Sequence, residues 1–233
     1  MISAEELSRW APHLESPEPK AQLLSCLGQR MLEEGSLRGV TALKTPQAIK
    51  DELILDSLAG LDSLPAPGGR VIDIGTGGGV PGLVLAVARP DLQFTLTDSA
   101  SRKTAWVQEC VQALGLENVR VRTARLELLG REPETREQYD AVTAKALATL
   151  AVLLELALPL LKVGGKLIAY KGPAFDAEVG SAKKALKLLH AQVVRRREYR
   201  LGDKSYLIAE VVKNAATPNR YPRRDGVPQK TPL

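Results

Sequence analysis

From residue 70 onward, short dense apolar runs alternate with longer striped ones. Arg70 to Ile74, Gln93 to Thr97, Val119 to Arg122, Tyr139 to Ala144 and Lys166 to Tyr170 have the length and β-branched content of strands. Between them, residues 81–88, 101–114, 147–161 and 174–189 carry apolar side chains at helical spacing, as Trp106, Cys110 and Leu114 do. Strands alternating with helices predict an α/β fold with a doubly wound, mostly parallel, Rossmann-like sheet. Two last strands, near 193–200 and 205–212, are joined by a turn at Gly202-Asp203. That link is too short for a crossover, so the pair closes the sheet as an antiparallel hairpin.

Before residue 61 the spacing is helical throughout. Leu7, Trp10 and Leu14 follow a capping pair, Ser3 and Glu6; Leu24, Leu27 and Met31 form a second stripe; Thr45-Pro46 starts a third helix that Gly60 ends. Leu64 to Gly69, with two prolines and two glycines, is a turn-rich join. The chain therefore divides into an N-terminal helical appendage (1–60), a glycine-loop domain (61–213) and a basic Pro-rich tail (214–233) expected to be extended.

At 233 residues and 44% hydrophobic content the chain can bury one large α/β core, made mostly of aliphatic side chains because aromatics are only 4%. Thr149 and Glu155 interrupt the longest apolar patch, Ala146 to Leu161, which reads as a buried helix and not a membrane span. Glu5 and Glu6 stand where a secretory signal would be basic, and Cys26 and Cys110 have no partners at ligand spacing. A cytoplasmic protein without metal or disulfide is expected. The net charge of +5 is uneven, since residues 1–60 are net acidic and the basic clusters fall at Arg195-Arg196-Arg197 and in the tail. A polyanion footprint and a merely solvated surface account for this equally well.

The densest chemistry lies in Val71-Ile-Asp-Ile-Gly-Thr-Gly-Gly-Gly-Val-Pro-Gly82. Strand, glycine loop and helix form a nucleotide-binding turn. Asp73, two residues before the first glycine, would repel a pyrophosphate but suits a cationic ligand without phosphate, such as S-adenosylmethionine. Asp98 follows at the spacing of an acid that binds ribose hydroxyls. The competing reading is that the glycines only turn the chain and Asp98 only caps the helix starting near Ser101. After the fourth strand, Thr143-Ala144-Lys145-Ala146 carries neither Asn/Asp-Pro-Pro-Tyr/Phe, used on exocyclic amines, nor a nearby Cys nucleophile. An acceptor with an exposed lone pair, guanine ring nitrogen 7 for example, needs only alignment; a small-molecule acceptor also fits. Such a nitrogen has no proton to lose, and His13 and His190 are the only histidines, so a rate nearly flat from about pH 6 to 8.5 is expected.

Asp73 to Gly82, Leu96-Thr-Asp-Ser99, Ala124-Arg-Leu-Glu127, Leu55-Asp-Ser57, Tyr170-Lys-Gly-Pro173 and Tyr221-Pro-Arg-Arg-Asp-Gly-Val-Pro228 together resemble the bacterial 16S rRNA guanine-N7 methyltransferase family (RsmG, also called GidB). The pieces span nearly the whole chain in order. The resemblance implies an S-adenosylmethionine-dependent enzyme that methylates a guanine near the decoding site. Its implied cofactor residues are Asp73, Gly75, Gly77, Val80, Asp98, Ser99, Leu126, Glu127 and Lys145. Gly75 and Val80 would line the methionine end, Asp98 hold the ribose, and Leu126 and Glu127 bound the adenine. Lys171, Arg195, Arg220, Arg223 and Arg224 are the expected RNA contacts, and no residue is singled out as catalytic. Partners would be 16S rRNA or the small ribosomal subunit, with the chain a monomer. Three positions depart from the family pattern: Gly39-Val40-Thr41 for Asn-Leu-Thr, Leu53 for His, and Lys145 for Arg, which keeps the charge but loses the planar fork. A noncatalytic RNA-binding module, or a methyltransferase of a small-molecule or protein acceptor, is the alternative.

Overall fold

The computed structural model describes residues 2–233. Its centre is a seven-stranded sheet: β1 (Arg70–Ile74), β2 (Gln93–Asp98), β3 (Val119–Thr123), β4 (Tyr139–Lys145), β5 (Leu161–Lys171), β6 (Ala191–Leu201) and β7 (Lys204–Lys213), in the order β3-β2-β1-β4-β5-β7-β6. β1 to β5 pair in parallel, and β7 runs antiparallel to both β5 and β6. The order reverses between β1 and β4, which places the ligand crevice above their carboxyl ends.

Among the described residues eleven α-helical segments surround the sheet: α1 (Ala4–Trp10), α2 (Pro17–Glu34), α3 (Pro46–Ala48), α4 (Asp56–Leu58), α5 (Gly82–Ala88), α6 (Ser101–Ala113), α7 (Leu126–Leu129), α8 (Leu150–Ala157), α9 (Phe175–Ser181), α10 (Lys183–Leu188) and α11 (Val227–Lys230). Alternation along β1 sends Val71 to one face and Ile72 and Ile74 to the other. On the first face Val71 packs with Leu85, Phe94 and Trp106, on the second Ile72 packs with Leu153, Leu154 and Phe175. The appendage does not keep a core of its own. Leu7, Leu24, Met31 and Ile54 are buried in the same cluster as Val71 and Leu85, so the N-terminal helices form a further layer over α5.

Several boundaries differ from the sequence expectation. The third helix is π-helical over Ile49–Leu55, between α3 and α4. The helix expected over 147–161 ends at Ala157, and β5 begins at Leu161, five residues early, pairing Leu161 with Tyr139 before a register shift. The helix expected over 174–189 breaks at Ala182 into α9 and α10.

The tail is the clearest correction: it is folded against the body. Arg136 donates to the carbonyls of Thr217 (2.7 Å) and Tyr221 (2.9 Å), and Arg131 to that of Pro222 (2.7 Å). Tyr221 is buried in the second core, and α11 follows. Arg223 points inward: Nε and Nη2 donate to the two oxygens of Glu155 at 2.8 and 2.6 Å, and its backbone N–H adds a bond of 2.8 Å. Glu155, the acid in the apolar α8 stripe, is fully buried.

Removing one partner of a buried pair strands the other charge. Arg223→Ala should therefore lower stability in urea unfolding by about 3–5 kcal/mol, and the double change Arg223→Ala with Glu155→Leu should recover much of that. A loss below about 1 kcal/mol for the single change would show the pair to be dispensable.

Candidate active site

The loop after β1 is shaped by glycines at positive φ: Gly75 (65°), Gly77 (57°) and Gly79 (98°). At Gly75 the φ favours glycine, and a Cβ would stand 2.5 Å from Leu147 Cδ1, so that side chain would have to swing aside. Asp73 lies beneath this loop, fully buried. One carboxylate oxygen accepts the Thr76 hydroxyl (2.6 Å) and the Gly82 N–H (3.1 Å), and the other accepts the Thr143 hydroxyl (2.7 Å). Burial pushes its carboxyl up to about 6, opposed by these three bonds and the charge of Lys145. Asp73 thus reaches a ligand through the loop it holds and through its field, not by direct exposure. From the other side Trp106 Nε1 donates to the Gly78 carbonyl at 3.1 Å.

At the end of β2, Asp98 accepts the N–H groups of Gly77 (3.1 Å) and Ala100 (2.9 Å), with Lys103 Nζ at 3.7 Å. It steadies the start of α6 and still faces a cavity of about 300 Å³, lined also by Gly75, Ser99, Leu126, Glu127, Leu147 and Gln229. Glu127 is itself buried and accepts the Gly226 N–H at 2.9 Å, so the tail closes one end of this cavity. Gly77 enters through its bond to Asp98, and Val80 packs on the first core at the start of α5.

A second cavity of about 490 Å³ opens above the ends of β4 and β5 and shares Ala146 and Leu147 with the first. Its walls include Asp56, Lys145, Tyr170, Lys171, Tyr199 and Tyr206. Lys145, expected at the cofactor, faces this side: it is paired with Asp56 and donates to the Glu52 carbonyl. Tyr199 also donates to Asp56, and the Tyr170 hydroxyl donates to the Ser57 carbonyl at 2.6 Å. Burial, reinforced by Asp56, pushes both phenols above their ordinary range. A still larger cavity, about 570 Å³, lies beside Leu14, Lys20 and Arg89 at the amino ends of the strands, away from the glycine loop.

The residues expected on RNA are scattered. Lys171 is nearly buried, bonded to Glu178 (2.7 Å) and the Ala148 carbonyl (2.8 Å), which removes it from the surface. Arg195 pairs with Glu210 (3.3 Å) midway along the hairpin, and Arg223 is held by Glu155. Arg220 and Arg224 are exposed. Sequence reasoning missed Thr143, Asp56 and the tyrosines of the second cavity. Asp56 and Tyr170 stood in the motifs Leu55-Asp-Ser57 and Tyr170-Lys-Gly-Pro173 without a role, and the symmetric placement of Tyr199 and Tyr206 about the Gly202-Asp203 turn makes them cross-strand partners. Among the described residues no group of three or more His, Cys, Asp or Glu side chains could hold a metal ion.

Solved structures with this sheet include an S-adenosylmethionine-dependent methyltransferase from Aquifex aeolicus (TM-score 0.55, 20% identity, 75% of this chain and 97% of that one). Another is a putative O-methyltransferase from Klebsiella pneumoniae (TM-score 0.55, 17% identity, 81% and 90%). Sequence similarity is closer to the ribosomal RNA small subunit methyltransferase G of Deinococcus deserti, 43% identical over 87% of this chain and 85% of that protein. The protein of the same name from Deinococcus radiodurans is 40% identical over 96% and 87%. The family model described as GidB, rRNA small subunit methyltransferase G, matches residues 20–205, and the chain belongs to that family.

Proposed function

We propose that this chain transfers a methyl group from S-adenosylmethionine to ring nitrogen 7 of a guanine in 16S rRNA. The observation that carries the reading is the pair of cavities meeting at Ala146 and Leu147, one lined by the Asp98 carboxylate and the other by an aromatic wall. The cofactor fits the first: Asp98 has acceptor capacity left for ribose hydroxyls, Gly75 leaves room where a side chain would intrude, and Leu126 and Glu127 bound the far end. Bound there, it supplies an electrophilic methyl group on a sulfonium. Neutral guanine N7 attacks through its lone pair and sheds no proton, so the chain needs to align and exclude water and needs no base. Lys145 and Lys171, both ion-paired, shape the acceptor side. Among the described residues no helix is long and apolar enough to cross a membrane.

With radiolabelled cofactor and small ribosomal subunits or 16S rRNA, label should appear at N7 of a guanine; label confined to protein or small molecules would sink the reading. Asp98→Ala should weaken S-adenosylmethionine by roughly 1.5–3 kcal/mol in calorimetry, the scale of hydrogen bonds to a charged group, and unchanged affinity would take Asp98 out of the site.

Asp73 sets the pH dependence. Its folded pKa stands above the ordinary 3.8, so ionisation costs stability as pH rises from about 4 to 6, and that cost is complete above 6. A bound sulfonium favours the ionised form. Between pH 7.5 and 5.5, affinity for S-adenosylmethionine should fall roughly fourfold, and for S-adenosylhomocysteine, which lacks that charge, much less. Equal losses would place Asp73 outside the sulfonium's field. At saturation, where that loss of affinity is overcome, the single-turnover rate should stay nearly flat from about pH 6 to 8.5.

Arg220 and Arg224 are, with Lys230, exposed tail cations that can meet phosphates. Replacing both arginines with Ala should reduce the slope of log affinity for RNA against log salt by about 1.5 while cofactor binding holds. An unaltered slope would leave the RNA contacts to other residues.

A further inference from the structure

Enzymes that act on a ring atom of a base commonly extrude that base from its strand, and the extruded base must then be stacked and read. Resting on the function proposed above, we infer that the 490 Å³ cavity receives the target guanine, with Tyr206 as its stacking surface and Asp56 as the group that recognises it. Tyr199 and Tyr206 face each other across β6 and β7, ring centroids 5.7 Å apart and planes 24° apart. Tyr199 is fixed by its hydroxyl on Asp56. Tyr206 is half-buried and braced on Tyr199, a ready π-surface at the cavity wall.

Asp56 supplies the selectivity. Its side chain is 6% exposed and held by Lys145 on one oxygen and Tyr199 on the other. Each oxygen keeps a second lone pair, so the carboxylate can still accept two bonds. Guanine alone presents two adjacent donors, N1–H and the exocyclic N2–H, on its Watson–Crick edge. Adenine would turn its N1 lone pair toward the carboxylate, and uracil offers one donor between two carbonyls. Ring nitrogen 7 belongs to the other ring, away from that edge, and is left free. As N7 is alkylated the ring gains positive charge, and N1–H and N2–H become stronger donors. The bonds to Asp56 therefore tighten toward the transition state, which is the form of binding that raises rate. Asp56 follows directly on the π-helical turn Ile49–Leu55, a geometry found frequently at functional sites.

The test uses reconstituted small subunits carrying guanine or inosine at the methylated position; inosine lacks the N2 amino group but keeps N7. Wild type should lose about ten- to a hundredfold in kcat/KM on inosine, the value of one hydrogen bond to a charged acceptor. Asp56→Asn should bring the guanine-to-inosine ratio close to one. Tyr206→Ala should lower kcat/KM by about ten- to a hundredfold, with Tyr206→Phe recovering most of the loss and cofactor affinity by calorimetry unmoved in both. Equal rates on guanine and inosine with wild type, or full activity of Tyr206→Ala, would overturn the assignment while leaving the methyl-transfer reading intact. Absence of any N7 label with wild type would remove both.

Discussion

A single carboxylate buried beneath a loop organises this molecule. Asp73 bonds to the Thr76 hydroxyl in the loop, the Gly82 N–H at the start of α5 and the Thr143 hydroxyl on β4. The loop, the helix that follows it and a strand 70 positions further along the chain are pinned to one point at the place where strand order reverses. A buried charge is costly, and here three donors and a nearby lysine offset it only in part, since the carboxyl remains easier to protonate than usual. The cost that these partners leave uncovered falls directly beneath the glycine loop.

The sheet and its closing hairpin were legible because their signals are local: β-branched runs, a helix period, and a two-residue turn that admits only antiparallel pairing. The loop and the placement of Asp98 at the end of β2 were legible for a similar reason, since spacing along the chain maps directly onto a strand–turn–helix. The second cavity was not. Asp56, Lys145, Tyr170 and Tyr199 come from four distant segments, and a buried acid in a helix looks in sequence like any surface acid. Lys145 shows the limit well: its charge was noted, but its partner lies 89 positions earlier in the chain, on the Asp56 carboxylate.

Arginines were misleading for a related reason. A basic, Pro-rich tail reads as solvated chain, yet Arg223 satisfies a buried glutamate, while Arg131 and Arg136, outside the tail, hold its carbonyls. The clue lay elsewhere, in Glu155 interrupting an otherwise apolar helix. A buried acid demands a partner, and the partner came from the segment expected to be free. The same fold-back brings Gln229 to the wall of the smaller cavity and the Gly226 amide to Glu127, so residues remote from the glycine loop help to line the cavity beside it.

β6 ends the sheet at one side and offers a free row of backbone donors and acceptors. Such an edge invites another strand to add to it. Here the strand shifts register between Val193 and Arg195 and carries exposed Arg195, Arg196 and Arg200. A second copy approaching edge to edge would bring guanidinium against guanidinium across an irregular ladder. Charge and a bulge thereby guard the open side of the sheet against self-templated growth, and the strand that completes the aromatic wall is kept from serving as a seed for aggregation.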